Sequence, residues 1–222
     1  PKKSSRGMKV QKTPIQVKSE LLGLPIRTPS SLKNNTNEYN FIKKINPTIV
    51  IVISYGQIIP KEFLELPEKG FFNIHASILP KFRGAAPIQR AIMSQDIETG
   101  ITFMKINEHL DSGPVLKTYK MKIDLNLNAT QIEEKLSQMA AEKIIENLNN
   151  IIRGKAKFKE QDHSEATYAE KLSKKEGKII WNDRAKKIIG KINGLHPTPG
   201  AYFMYKGERY KILKAEIGNG SG

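Results

Sequence analysis

A chain of 222 residues can build one full-sized domain and a smaller one. Its 37 lysines and arginines against 22 acidic residues leave a net charge of +15, a balance that favours a polyanionic partner through phosphate neutralisation, although the same residues also serve simply to solvate a surface. Cysteine is absent, which excludes disulfides, thiolate metal sites and thiol nucleophiles, and no apolar run approaches the roughly 20 residues that cross a bilayer.

The chain opens on a basic stretch in which Lys2, Lys3, Arg6, Lys9 and Lys12 precede the first acidic residue, Glu20, with Ser4, Ser5 and Gly7 between them. It lacks the apolar core of a signal peptide, so the expected compartment is the cytoplasm. Residues 37–44 read as a short helix. TIVIVIS (48–54) is a β-branched run of the kind buried on both faces of a parallel sheet. Residues 71–76 form the next strand. Residues 84–95 form a helix with Ile88, Ala91 and Ile92 on one face and Pro87 in its first turn, where a missing N–H costs nothing. Strands at 101–106 and 115–123 flank a turn at Asp111. Asn128 or Thr130 then caps a long helix reaching about Arg153, with Ile132, Leu136, Met139, Ile144 and Leu148 in an apolar stripe. The alternation predicts an α/β fold with an open, mostly parallel, Rossmann-like sheet whose ligands sit beyond the strand ends. After Gly154 a lysine-rich, turn-prone connector follows. From Leu195 onward, short strands around Lys206-Gly207 predict a small β domain.

Three residues stand out as chemistry. Asn73 and His75 are two apart on an apolar run, so on a strand they share a face. Asp111 follows a second apolar run, in NEHLDSGPVL. An amide, an imidazole and a carboxylate at two strand ends equip an acyl-transfer site. Separately, each has a plain reading: a packing histidine, and a turn made of Asp, Ser, Gly and Pro. His75, His109, His163 and His196 lack the short spacings of a zinc site, and no metal is expected.

Taken together, NIHASILPKFRGAAPIQRAI, ETGIT and LDSGPVL resemble the formyltransferase family that uses 10-formyltetrahydrofolate. The resemblance extends over nearly the whole chain. Residues 1–29 are similar to the basic loop and following helix of the members whose acceptor is initiator methionyl-tRNA, and IVISYGQIIP to the strand and turn beside the folate pocket. ATYAEKLSKKEGKIIW and LHPTPGAYF resemble the start of the C-terminal domain. GAAPIQRAI and these C-terminal segments favour the tRNA branch over relatives acting on a glycinamide nucleotide, on an amino sugar nucleotide or in formyl oxidation.

The resemblance implies a formyltransferase domain at residues 1–154, a linker at 155–170 and an oligonucleotide-binding (OB)-like β-barrel domain at 171–222 that binds tRNA. The chain would start inside the basic loop, without the family's first strand and helix, and end within the barrel. Asn73 and His75 would supply hydrogen bonds to the oxyanion, and Asp111 would support His75 and relay the amine's proton. Backbone groups of Ile58, Ile59 and Pro60, of Ser77, Ile78, Leu79 and Pro80, and of residues 106–111 would hold folate. Lys2, Lys3, Arg6, Lys9 and Lys12, with Lys81 and Arg83 beside the site, would meet tRNA phosphates, Arg6 being the reader. Lys186, Lys187, Lys191, Lys206, Arg209 and Lys211 would continue the basic track. A bacterial, monomeric enzyme without a metal or a membrane is implied. Two other readings stay open: a formyltransferase for a small-molecule amine, and a non-catalytic basic nucleic-acid-binding module.

Overall fold

The computed structural model describes residues 12–218 and the backbone of two short strands ahead of them, β1 (Lys3–Ser4) and β2 (Lys9–Val10). Two compact units emerge, Pro1–Ile45 and Asn46–Gly222.

In the first unit β1 and β2 pair antiparallel. Helix α1 (Pro14–Leu21) starts where the Thr13 hydroxyl accepts the Gln16 N–H at 3.2 Å, with Pro14 in its first turn. Helix α2 (Thr36–Ile45) covers the predicted 37–44. It is tied to the chain before it by Arg27, whose Nε and Nη2 fork onto the Glu38 carboxylate at 2.7 and 2.6 Å while the guanidinium lies over the Phe41 ring.

The second unit is built on a four-stranded sheet in the order β3 (Val50–Val52), β4 (Phe71–His75), β6 (Glu98–Lys105), β7 (Val115–Lys122). The short helix α3 (Lys61–Leu64) links β3 to β4, and the two-residue strand β5 (Arg83–Gly84) and helix α4 (Pro87–Met93) link β4 to β6. Within this sheet β3–β4 is the one parallel pair described; β6 runs antiparallel to both its neighbours, β4 and β7. The expectation of a mostly parallel sheet is therefore corrected to a mixed one. The reason is partly chain length. Residues 106–114 between β6 and β7 are fewer than the dozen or so that a parallel crossover takes. Strand β7 also carries the signature of a half-solvated antiparallel strand, with Lys120 and Lys122 exposed on one face and Tyr119 and Met121 packed on the core from the other. β3 forms one edge of the sheet described.

The core lies between this sheet and two helices. Ile74, Ile101 and Phe103 meet Ile88, Ala91 and Ile92 of α4 and Ile132 and Leu136 of α5 (Ala129–Ile152). Burying each of these isoleucine, leucine and phenylalanine side chains is worth about 1.5–3 kcal/mol. Asn128 caps α5 in a capping box with Gln131, as the sequence suggested. The predicted stripe is met at Ile132 and Leu136, with Met139 and Ile144 packed against the same core.

The connector after α5 is not a free linker. Lys159 bridges to Val115, Phe158 stacks on Phe72 at 5.8 Å, and β8 (Tyr168–Ala169) pairs parallel with β5. Beyond it, α6 (Ala185–Gly194) packs on α4. Gly194 permits the approach, since a Cβ there would stand 2.6 Å from Met93 Cγ and 2.9 Å from Gln89 O. This helix was missing from the sequence reading, although Ile188, Ile192 and Leu195 have helical spacing. Strands β9 (Ala201–Tyr205) and β10 (Glu208–Ile212) form the anticipated hairpin, turning at Lys206 and Gly207 with φ of 48° and 81°.

Candidate active site

Asn73 and His75 sit on β4, a strand hydrogen-bonded on both sides, so their common face is fixed by the sheet. Asp111 reaches them from the β6–β7 turn. Its φ is +45°, a conformation that Asp tolerates better than most residues. Two residues on, the turn passes so close to β6 that a Cβ on Gly113 would lie 1.9 Å from Lys105 O, so glycine is required there. One Asp111 oxygen, Oδ1, accepts from Asn73 Nδ2 at 3.4 Å. The other, Oδ2, accepts the Gly84 N–H at 2.8 Å and stands 3.6 Å from His75 Nδ1.

His75 is only 6 % exposed. Its Nε2 lies 2.8 Å from Phe82 O, and a carbonyl can only accept, so Nε2 carries a hydrogen and Nδ1 is the nitrogen turned to Asp111. Both ring nitrogens thus face protein groups. A proton arriving at Nδ1 would place a cation against a carboxylate inside a largely buried site. Asn73, bonded to Asp111 through one N–H of its amide, keeps a second with which to donate.

Arg83 departs from its expected place at the surface. It is 3 % exposed, its Nε and Nη2 donate to Gln161 Oε1 at 3.2 and 2.7 Å, and Nη2 also reaches His163 Nδ1 at 2.9 Å. A guanidinium buried on these protein partners does not present itself to tRNA phosphates, which corrects the expected role of Arg83. The reason is β5–β8 pairing, which covers Arg83 with the connector: Thr167 O accepts the Arg83 N–H at 2.8 Å, and Thr167 Oγ1 accepts the Phe82 N–H at 2.9 Å. Gln161, also buried, donates from Nε2 to Asp111 O and Gly113 O at 2.9 and 2.8 Å. Sequence reasoning missed Gln161 because a polar residue in a lysine-rich connector reads as solvated.

The other candidates fall in several places. Ile58 is exposed, Ile59 is buried, and Pro60 leads into α3. A Lys61–Glu108 ion pair at 3.2 Å brings this turn beside residues 106–111. Ser77 and Leu79 are buried and knit to β6: Ser77 O accepts from Thr102 Oγ1 at 2.7 Å, and Leu79 N–H donates to that oxygen at 3.3 Å. Ile78, Leu79 and Pro80 line a cavity of about 250 Å³ with Lys81, Asp96 and Glu165, and burial pushes the Asp96 carboxyl up. Asn73, His75 and Asp111 are not among its walls. Lys81 is exposed. Lys12 is ion-paired with Glu20 at 2.7 Å. Lys2 and Arg6, and the side chains of Lys3 and Lys9, lie outside the described residues. In the C-terminal part, Lys187 pairs with Asp183, Lys191 with Lys178 O and Lys211 with Pro197 O, while Arg209 stacks on Tyr202 at 3.7 Å.

Residues 2–148 match the profile of the formyl transferase family, and residues 171–222 that of the formyl transferase C-terminal domain. The methionyl-tRNA formyltransferase of Pelagibacter ubique is 60 % identical over 222 residues, all of this chain and 72 % of that protein. The chain belongs to the methionyl-tRNA formyltransferases. The methionyl-tRNA formyltransferase of Thermodesulfovibrio yellowstonii is 44 % identical over 223 residues, covering 99 % of this chain and 71 % of that one. Among solved structures, a sugar N-formyltransferase from a Shewanella species shares the fold with a TM-score of 0.73 at 21 % identity, over 92 % of this chain and 82 % of its own. HypX from Aquifex aeolicus, in complex with tetrahydrofolic acid, matches with a TM-score of 0.69 at 22 % identity, over 81 % of this chain and 31 % of its own. Family membership favours the tRNA branch over both rival readings. Among the described residues no helix is long and apolar enough to cross a membrane.

Proposed function

We infer that the protein transfers the formyl group of 10-formyltetrahydrofolate to the amino group of initiator methionyl-tRNA, giving N-formylmethionyl-tRNA and tetrahydrofolate. The observation that carries this is the Asp111 carboxylate held between Asn73 and His75 in a chain 60 % identical to a methionyl-tRNA formyltransferase. The neutral amine attacks the formyl carbon, a C–N bond forms, and the carbonyl oxygen becomes an oxyanion. Asn73 donates its second amide hydrogen to that oxyanion, whereas His75, with Nε2 held on Phe82 O, acts through Nδ1 in place of the oxyanion contact expected from the sequence. Asp111 and His75 Nδ1 take the proton from the attacking nitrogen and return it to the folate N10 as the N10–carbon bond breaks. No covalent enzyme intermediate is required.

Folate is held by main-chain groups of the Ile58–Pro60 turn, the Ser77–Pro80 loop and residues 106–111. The Lys61–Glu108 contact, which brings two of these segments together, supports that assignment. The basic loop, Lys81 and the C-terminal cations meet the tRNA, and residues 171–222 contribute to an OB-like barrel. The bacterial relatives support a cytoplasmic setting. The test compares two acceptors with labelled 10-formyltetrahydrofolate. Transfer to charged initiator tRNA and not to an amino sugar nucleotide supports the reading; the reverse preference contradicts it.

A further inference from the structure

Gln161 lies 50 residues beyond Asp111, in the connector, yet every hydrogen-bonding group of its side chain is spent around the site. Its two N–H groups go to Asp111 O and Gly113 O at 2.9 and 2.8 Å, and its oxygen takes the Nε and Nη2 donors of Arg83. An amide turned end for end would set its oxygen against two carbonyl oxygens and its NH₂ against two N–H donors, so the orientation is fixed by its partners. Those carbonyls belong to an irregular turn, where no strand ladder supplies donors. Arg83 is itself fixed through Nη2, which reaches His163 Nδ1 at 2.9 Å, and Arg83 can only donate, so Nδ1 of His163 is the acceptor.

The neighbour of Arg83 completes the arrangement. Gly84 N–H holds the Asp111 carboxylate at 2.8 Å, so the main chain of Asp111 is tied through Gln161 to Arg83 and its side chain is tied directly to Gly84. We propose that Gln161, with Arg83, is a positioning residue: it sets the distance between the Asp111 carboxylate and His75 and so the rate of the proton transfer, without touching either substrate. The proposal rests on the formyl-transfer reading for its kinetic consequences and on the hydrogen-bond geometry alone for its structural ones.

The test is a double-mutant cycle in the full-length protein. Gln161→Glu keeps the shape and an acceptor for Arg83 but loses both donations to the Asp111 turn. We expect kcat to fall by about 10- to 100-fold, since small misplacements of a reacting group cost rate on that scale, with KM for folate and tRNA within about twofold of the parent. In an Asp111→Ala background the same substitution should cost nothing further, because its effect passes through the carboxylate. The Gly84 amide should exchange with solvent faster. Should Gln161→Glu fail to fold, Gln161→Met enters the same cycle. An equal loss in both backgrounds, a loss in KM alone, or unchanged Gly84 exchange would each overturn the proposal. If the parent protein transfers no formyl group to methionyl-tRNA, the functional reading fails while Gly84 exchange still decides the positioning role.

Discussion

Asp111 Oδ2 lies 3.6 Å from His75 Nδ1, while the opposite nitrogen of the ring is anchored on Phe82 O at 2.8 Å. The imidazole cannot rotate to leave the carboxylate without breaking that anchor. A proton taken at Nδ1 therefore has one destination within the protein, and the consequences can be measured.

Asp111→Asn retains an oxygen to accept the Gly84 N–H and removes the charge. Loss of acid–base help costs about 10²–10⁴ in rate. Single-turnover formyl transfer should slow by that order while thermal stability barely changes; a large stability loss with little kinetic effect would make Asp111 a structural residue.

Asn73→Ala removes the donor assigned to the oxyanion. The expected loss in kcat/KM corresponds to about 2.7–4 kcal/mol, the scale for one oxyanion donor. A loss well under 1 kcal/mol, on the scale of an ordinary neutral hydrogen bond, would remove Asn73 from that role. Steady-state kinetics with saturating folate reads it.

Arg83 answers to folding before tRNA. Arg83→Met should destabilise by about 1–3 kcal/mol through the unsatisfied Gln161 oxygen. Arg83→Lys should not restore the stability, because an ammonium cannot reproduce the fork. Urea denaturation checks both. The exposed Lys81 should behave oppositely: Lys81→Ala should leave stability unchanged and lower the salt dependence of tRNA binding by about one counterion.

Arg90 on α4 holds the connector by donating to Glu170 O and to the Glu176 carboxylate. That hydrogen bond keeps the Glu176 carboxyl below its ordinary value, outweighing the upward push of burial. The unfolded chain therefore takes up the proton first as pH drops. The pair's contribution to stability is fully present above the ordinary glutamate value, about 4.3, and fades as pH falls through the lower folded-state value. Denaturation of the parent and of Glu176→Gln, compared at pH 7 and below pH 4, should show a difference at neutral pH that narrows in acid. A constant difference would contradict it.

Local pattern made much of this legible. The Asn128 cap, the α5 stripe, the Lys206-Gly207 turn and the three site residues follow from spacing, turn chemistry and a family-like motif, all of which are written in neighbouring residues. Strand direction was not read, because the buried run of β6 looks alike in parallel and antiparallel pairs, and the exposed lysines of β7 are the one local cue to its direction. The burial of Arg83, expected at tRNA phosphates, and of Gln161, not singled out at all, was hidden for a related reason. A cation and an amide in polar surroundings read as solvated, and only the parallel pairing of β5 with β8, separated by more than 80 residues, buries them together. Long-range pairing of that kind leaves no periodicity for the sequence to show.

The most direct measurement is transfer of labelled formyl from 10-formyltetrahydrofolate to charged initiator methionyl-tRNA by the parent protein and by His75→Ala. Transfer by the parent that falls by about 10² or more in the variant is the expected result. No transfer by well-folded parent protein, or equal transfer by both, would contradict the account.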